Sequence, residues 1–192
     1  MHVSPRRALA TAALCAIVAV PVAVRAGIEN SFLISGKKLL LNDNADTAKR
    51  KAVFVSKDQA ISFAANGDQP TNVGMTLRLA SPCVASSILY LPKTRWTEKN
   101  GKFKYKDKDS VEGPVKVVVA KAGLVKIMAK GSQLDFPLIG TGPQGSVIVS
   151  VESQETTWTA FFGPDNATIK KDDTVKGVFS AVDAAAAVPP AS

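Results

Sequence analysis

Histidine is almost missing from this chain, since His2 is its only one. Residues 1–26 have the pattern of a removable leader, so the processed protein would contain no histidine. Without that side chain a Ser-His-Asp triad cannot form, and zinc or copper sites of the His/Cys type lose their usual ligands. The sequence therefore predicts neither an enzyme of these classes nor a metal site or cofactor.

Cysteine is nearly as scarce, with Cys15 and Cys83 the only two. Removal of the leader would leave Cys83 alone, so no intramolecular disulfide is expected in the processed chain. Cys83 precedes the apolar run VASSILYL, and we expect it to be buried. The processed fold must then depend on its hydrophobic core.

The first 26 residues have the order of a secretory signal peptide. Arg6 and Arg7 form a short basic region, residues 8–24 are apolar, and Val24 and Ala26 have the spacing of a small-residue cleavage site. We expect cleavage after Ala26, a secreted or periplasmic protein, and no transmembrane segment after processing. Three arginines would leave, lowering the formal net charge from +8 to +5. An uncleaved membrane anchor is the alternative.

The processed chain is dominated by short runs with the period of β-strands. They are MTLRLA (75–80), SSILYL (86–91), VKVVVAK (115–121), LVKIMAK (124–130), SVIVSVES (146–153) and TTWTAFF (156–162). Turn-type residues separate these runs, and Ala122-Gly123 predicts a hairpin. We therefore predict an all-β fold, an antiparallel β-sandwich over 27–183, followed by a disordered tail over 184–192. The stretch 45–51 is expected to be a loop.

An internal similarity suggests two halves, about 36–100 and 101–183. Without gaps, the segment that begins at Gly36 aligns with the one that begins at Gly101, each giving an amphipathic strand, a polar loop and a Val-rich strand. A third, partial copy, KGVFSAVD at 176–183, is a candidate for the closing strand. Chance similarity between strands is the alternative. If the repeat is real, the halves form either one pseudo-symmetric sandwich or two small domains, and the absence of disulfides favours a shared core.

The strand GKFKYKDKD alternates lysine with other side chains. Phe103 and Tyr105 should face the core while the lysines face solvent on an edge-like strand, where they would discourage edge pairing. The alternative is that they bind a polyanion. The candidate residues are Lys102, Lys104, Lys106 and Lys108. Nucleic acid is not an expected partner, because export removes most of it from reach.

Two aromatic residues are candidates for stacking on a glycan. Trp96 lies in the polar stretch KTRWTEKNG and is expected to be the more exposed tryptophan; Tyr90 could join it. Trp158 is expected in the core. For Trp96, packing in the core or against a loop is the favoured interpretation, and stacking on a glycan is the alternative.

Carboxylates suggest two weaker hypotheses. A hydrolase with paired carboxylates could draw on Glu98, Glu112, Asp135, Glu152 and Glu155, but their spacing selects no pair. The oxygen-rich stretches at 42–46, 107–109 and 164–173 lack EF-hand spacing, so we expect Asx turns there rather than calcium sites.

Over residues 34–182 the chain resembles a class of secreted β-rich domains of environmental, myxobacteria-like bacteria, a class without a known activity. The resemblance rests on KKLLLNDNAD…KRKAVFVSKD, FKYKDKD, VKVVVAKAG…KIMAKG…LDFPL and TTWTAFF…IKKDDTVKGVFSA. It implies a bacterial exported β-rich protein and no site residues. Where that class has a cysteine ahead of the late tryptophan strand, this chain has Thr156 and Thr157, which argues against a disulfide or metal role there.

The sequence thus predicts an exported, non-catalytic β-sandwich with a binding or structural role in the cell envelope or outside the cell. A module that binds glycans or anionic envelope polymers is the first alternative, and a secreted hydrolase is the second. The patterns do not identify a ligand, a partner or an oligomeric state.

Overall fold

The structure is a computed structural model that describes residues 30–63 and 69–188. Over these ranges it consists of two β-sheets packed face to face, and every strand pair except one is antiparallel. The predicted all-β sandwich is confirmed. The leader, its predicted cleavage site and residues 189–192 of the predicted tail lie outside the described residues.

The smaller sheet has five strands in the order β1-β11-β10-β4-β5. Its strands are β1 (Asn30–Leu33), β4 (Met75–Ser81), β5 (Val84–Leu91), β10 (Val147–Ser153) and β11 (Thr156–Phe162). Strand β1 joins β11 in parallel, and it is the exception to the antiparallel pattern.

The larger sheet has eight strands in the order β12-β13-β2-β3-β9-β8-β7-β6. Its strands are β2 (Gly36–Asn42), β3 (Lys51–Ser56), β6 (Trp96–Lys99), β7 (Lys102–Lys106), β8 (Val115–Lys121), β9 (Leu124–Lys130), β12 (Thr168–Asp173) and β13 (Val178–Ala184). Helical structure in the described ranges is limited to α1 (Pro70–Val73) and two 3-10 turns, Thr47–Lys49 and Lys93–Arg95. No helix among the described residues has the length and hydropathy needed to span a membrane.

One continuous core fills the space between the sheets, because each strand turns alternate side chains inward. Trp158 is fully buried, as predicted, and its indole nitrogen donates to the Ala60 carbonyl over 3.1 Å. Gly36 lies against the ring of Phe162, and a Cβ at that glycine would stand 2.2 Å from the ring. Glycine is therefore required where β2 meets β11.

Three strands were not predicted from the sequence. Strand β1 has only four residues, β6 was assigned to a polar loop around Trp96, and β12 was assigned to an Asx-rich loop. Each is short or strongly charged, and each forms an edge of a sheet, where tertiary pairing outweighs the local pattern. The expectation for β7 also needs a correction, since β6 covers it and β7 is the second strand from the edge.

Both proposed halves contribute hairpins to both sheets: β2-β3 and β7-β8 lie in the larger sheet, and β4-β5 and β10-β11 in the smaller one. The aligned glycines differ in role, however. Gly36 is packed against Phe162, whereas Gly101 has φ of 71° and open space where a Cβ would project. The repeat itself stays a prediction.

The structure corrects two smaller predictions, the burial of Cys83 and the start of the C-terminal tail. Cys83 is half-buried rather than buried, its sulfur lies 3.4 Å from the Pro143 carbonyl oxygen, and it is disulfide-bonded. The absence of a disulfide was predicted for the processed chain only. Ala184 ends β13 instead of opening a tail, and Ala185 exchanges hydrogen bonds with Asn166.

Candidate anion-binding surface

One side of strand β7 faces the core and the other faces solvent, as the alternation of its residues predicts. Phe103 and Tyr105 are buried in the core, while Lys102 and Lys106 are exposed and Lys104 is half-buried on the other side. The two aromatic rings therefore cannot stack on a ligand that binds the lysines.

The strand register extends this lysine row across the larger sheet. Residues paired in register point to the same side of a sheet. Lys102 is paired with Lys99 on β6 and with Lys121 on β8, so three lysines lie side by side on neighbouring strands. Adjacent strands are about 4.8 Å apart. The positive charge is thus concentrated at the β6 end of the sheet.

Other rows of the register add lysines further across the sheet. Lys104 lies in one row with Lys126 and Lys38, separated by valines on the intervening strands. Lys51 and Lys130 are directly paired in another row.

We call the outer side of the larger sheet the lysine face. It holds ten of the eighteen lysines of the chain: Lys38, Lys51, Lys99, Lys102, Lys104, Lys106, Lys121, Lys126, Lys130 and Lys171. Among the paired strand positions on this side, Asp173 is the one carboxylate.

Most of this charge is not neutralised by the described part of the chain. Among the described residues, Lys171 is the only lysine of the face that forms an ion pair, at 3.7 Å from Asp173. Like charges that face each other across strands destabilise a sheet. Lys99, Lys102 and Lys121 therefore oppose folding slightly, and an anion bound over them would relieve that repulsion.

The outer side of the smaller sheet is different. Among its paired strand positions the charged residues are Arg78 and Glu152, and they pair with each other at 3.6 Å. Serine, threonine and apolar side chains occupy the neighbouring positions, such as Thr157 and Thr159. The positive charge thus lies on one of the two flat surfaces of the sandwich.

Acidic residues are concentrated in the loops, where they accept hydrogen bonds from backbone amides. Asp107 is buried and accepts from the amides of Val111 and Glu112 at 3.1 and 2.8 Å. Burial alone would raise the pKa of its carboxyl, but these amides, with Arg95 and Lys116 nearby, hold that pKa below its ordinary value. Lys108 follows in this loop, outside β7, so the register does not place it on the lysine face.

Carboxylates of the other oxygen-rich stretches also accept hydrogen bonds from backbone amides. The contacts of Asp46 and Asp173 are local, as the predicted Asx turns require, whereas 168–173 forms strand β12 and Asp172 contacts a distant loop. Asp46 accepts from the amide of Ala48, Asp172 from that of Gly145, and Asp173 from that of Lys176. The pKa of Asp173 is lowered, chiefly by that amide. Within the described ranges, no three His, Cys, Asp or Glu side chains lie close enough together to hold a metal ion.

Trp96 is packed in the core, which confirms the favoured interpretation, and the alternative of an exposed stacking residue is wrong. This residue is 6% exposed, its indole nitrogen donates to the Leu91 carbonyl over 3.2 Å, and its ring lies 5.5 Å from that of Tyr105. Trp96 is the first residue of β6, and its side chain points into the core, where it covers apolar side chains at the edge of the larger sheet. Trp96 is therefore not available for stacking on a glycan.

Tyr90 is 70% exposed and lies on the outer side of the smaller sheet, away from the lysine face. It borders a shallow cleft of about 320 Å³. The cleft is lined, among others, by Val73, Met75, Thr76, Glu152 and Gln154. The structure thus separates Tyr90 from both Trp96 and the lysines.

The carboxylates suggested for a hydrolase are dispersed among separate contacts. Glu98 accepts from the Gly101 amide, Glu112 pairs with Arg95 at 3.4 Å, and Glu152 pairs with Arg78. Asp135 and Glu155 are exposed, in a loop and in the β10-β11 turn. Of the five, Glu152 alone borders the Tyr90 cleft.

Compared with protein-family models, with curated proteins and with solved structures, the chain finds no match. Function must therefore be inferred from the geometry. Sequence reasoning found three lysines of the face and missed seven. Five of the seven lie on strands that the sequence predicted, whereas Lys99 and Lys171 lie on β6 and β12, which it did not. Only the strand order shows that all of them share one surface.

Proposed function

We propose that this chain is an exported, non-catalytic β-sandwich protein that binds an anionic polymer of the cell envelope or its surroundings through the lysine face. One observation carries the proposal: the register gathers ten lysines and one carboxylate on a single side of the larger sheet. The signal-peptide pattern of residues 1–26 supports export, and the resemblance to secreted bacterial domains is consistent with it.

The physics of polyanion binding suits this surface. A polymer that contacts several lysines releases counterions, so its affinity falls steeply as salt rises. The face also presents half-buried valines between its lysines, such as Val119 and Val55, which add apolar contact without adding charge. Because the lysines are spread over a flat surface, they suit a ligand with many negative charges better than one small anion held in a pocket.

The test measures binding of the purified protein to inorganic polyphosphate and to polygalacturonate, with neutral dextran as a reference, at low and at near-physiological salt. The test variant replaces Lys102, Lys104 and Lys106 by Gln. The control variant makes the same charge change at exposed lysines of loops and turns, Lys57, Lys93 and Lys176. We expect the first variant to weaken binding about tenfold or more and to flatten its salt dependence, and the control to change little.

Two results would contradict the proposal. Equal weakening by the two variants would show that only net charge matters and that the face has no special role. Failure of the unmodified protein to bind either polyanion at low salt would exclude the proposed function.

A second candidate function is supported by the exposure of Tyr90. An exposed aromatic ring beside a carboxylate, an amide and a hydroxyl is a combination that suits a sugar ring. Glu152, Gln154 and Thr76 supply these polar groups. A neutral glycan would bind there with little dependence on salt. Tyr90→Ala should abolish that binding, while Tyr90→Phe, which keeps the ring, should retain most of it.

A further inference from the structure

One row of the lysine face alternates lysine and valine from strand to strand. Lys104 on β7 is paired in register with Val119 on β8, and Val119 is paired with Lys126 on β9. Lys126 is then paired with Val55 on β3, and Val55 with Lys38 on β2. We call these five residues the alternating row. It crosses five neighbouring strands at right angles to their direction.

The strand spacing sets the distance between the positive charges of this row. Neighbouring strands are about 4.8 Å apart, so lysines on alternate strands have backbones about 9.6 Å apart. An uncharged side chain stands between each lysine and the next. A ligand that matches the row therefore has negative charges at the same repeat, with uncharged units between them.

The lysines and valines of the row reach different heights above the sheet. Lys38 and Lys126 are exposed, whereas Lys104 and the two valines are half-buried. Because a valine side chain is much shorter than a lysine side chain, the ammonium groups stand above the valines. A carboxylate placed over a valine would lose hydration without a direct partner, whereas the apolar side of a neutral unit would gain contact there.

The lysines of the row have no acidic partner in the described part of the chain. The ion pairs found among the described residues involve other side chains. Lys37, next to Lys38, already pairs with Asp183. Two strands beyond Lys38, the register continues to Thr168 on β12 rather than to another lysine. The unpaired charge of the row thus ends at β2.

An apolar row runs beside the alternating row. Val117, Met128, Val53 and Leu40 are paired in register on β8, β9, β3 and β2. Met128 is 36% exposed, and the other three are half-buried. A polymer that lies along the alternating row can bury apolar substituents, such as the methyl groups of acetamido groups, against this neighbouring row.

The repeat of a polysaccharide fits these distances. In an extended chain of β-linked pyranose sugars, each sugar advances the chain by about the distance between neighbouring strands, so one sugar lies over each strand. Carboxylates on alternate sugars then meet the lysines, and the neutral sugars lie over the valines. We propose that the alternating row binds an anionic polysaccharide in which acidic sugars alternate with neutral ones. The proposal rests on the proposed function of the lysine face and specifies its ligand.

The row also constrains the shape and length of the ligand. Neighbouring strands are rotated by about 20–25° relative to each other, so the direction of the side chains changes gradually from Lys104 to Lys38. Flexible lysine side chains and rotation about glycosidic linkages let the two follow each other. Five strands accommodate about five sugars, so a hexasaccharide of three disaccharide repeats covers the row.

Hexamers that differ in charge density test the proposal. The purified protein is titrated, at low and at near-physiological salt, with hexamers of hyaluronate, galacturonate and phosphate. Hyaluronate has a carboxylate on every second sugar and acetamido groups on the others, whereas galacturonate has a carboxylate on every sugar. Non-specific attraction favours the denser charge. We expect the opposite order at near-physiological salt, with hyaluronate bound about threefold or more tightly than either competitor.

Two double variants separate the row from the rest of the lysine face. Lys38→Gln with Lys126→Gln removes two charges of the row. The matched control, Lys121→Gln with Lys130→Gln, removes two exposed charges of the same face outside the row. We expect the first variant to weaken hyaluronate binding about tenfold and to abolish the preference over galacturonate. The control should weaken both ligands by one smaller factor and keep the preference.

Filling a gap in the row gives an independent test. Val119→Lys places a positive charge between Lys104 and Lys126. A carboxylate over β8 then has a partner, so we expect galacturonate to gain affinity relative to hyaluronate. Circular dichroism confirms that each variant is folded, and the two glutamine variants decide the matter if Val119→Lys is not.

Three outcomes would overturn the proposal. If the hexamers bind in the order of their charge density, the lysine face attracts polyanions without distinguishing their repeat, so the proposed function stands and the ligand class is wrong. If both double variants weaken hyaluronate binding equally, the row has no special role within the face. If no hexamer and no longer polyanion binds at low salt, the proposed function fails as well.

Discussion

Single carboxylates hold distant parts of this fold together. Asp43, at the end of β2, is buried and accepts from the amides of Leu138 and Ile139 at 2.8 and 3.1 Å, while its other oxygen lies 2.8 Å from the guanidinium of Arg50. The long loop after β9 is thereby fixed to the larger sheet. Asp107 has a similar local role in the loop between β7 and β8.

The contribution of Asp107 should depend on pH. Asp107→Asn keeps the shape but removes the charged acceptor, so it should lower the free energy of unfolding at pH 7 by about 1 kcal/mol. The folded-state pKa lies below the ordinary value of 3.8. The stabilisation is therefore complete above the pKa of the unfolded chain and is lost as the pH falls through the folded-state pKa.

Urea unfolding over a series of pH values measures this effect. The difference between the protein and its Asp107→Asn variant should shrink below about pH 4. Asp109→Asn, at an exposed position of the same loop, is the control and should change stability little at any pH. A difference that stays constant down to about pH 2 would show that the charge of Asp107 has no role.

At the scale of the element, strands with regular alternation were predictable to within two residues at each end. Strands β8, β9 and β11 have the predicted bounds, and β5 begins two residues earlier than predicted. The hairpin at Ala122-Gly123 is confirmed, with Gly123 at φ of 74° in the turn. Strand β6 could not be predicted, because its four residues are mostly polar and it is a strand only through its pairing with β7.

The repulsion between lysines of the lysine face should lower the stability of the fold, and one pair of neighbouring strands is enough to test this. Lys121 of β8 lies opposite Lys102 of β7, and Lys121→Glu would convert repulsion into attraction. We expect it to stabilise the fold by about 0.5 kcal/mol relative to Lys121→Gln. The same change should weaken polyanion binding more than Lys121→Gln does.

Urea midpoints and the polyphosphate titration measure the two effects on the same samples. If Lys121→Glu is more stable than Lys121→Gln and binds polyphosphate less tightly, the lysines of this surface lower the stability of the fold in exchange for anion binding. If Lys121→Glu is no more stable than Lys121→Gln, the lysines do not strain the sheet, and unfavourable charge is then no evidence for an anion site.

At the scale of the whole molecule, the two proposed halves share both sheets and one core. Unfolding should therefore be a single cooperative transition. Trp96 in the larger sheet and Trp158 in the smaller one are the natural probes, since each is buried. Fluorescence of Trp96→Phe and Trp158→Phe variants would follow each tryptophan separately.

Each tryptophan should report the same midpoint as circular dichroism of the same variant. Comparison within a variant removes the effect of the mutation on overall stability. A fluorescence transition that precedes or follows the circular dichroism transition would indicate two units that unfold separately, as two small domains would.

The sequence alone determined the fold class, the alternation of β7 and the positions of the regular strands, because a period of two in the side chains is a local property. The Asx turns were predictable for the same reason, since each needs only residues a few positions apart. The structure decided the location of Trp96, the contact of Asp43 with a loop 95 residues away, and the separation of Tyr90 from the lysines. The structure also brings ten lysines from seven strands onto one surface. Their placement follows from strand order and register. Strand order and register are set by packing between residues that are far apart in the chain.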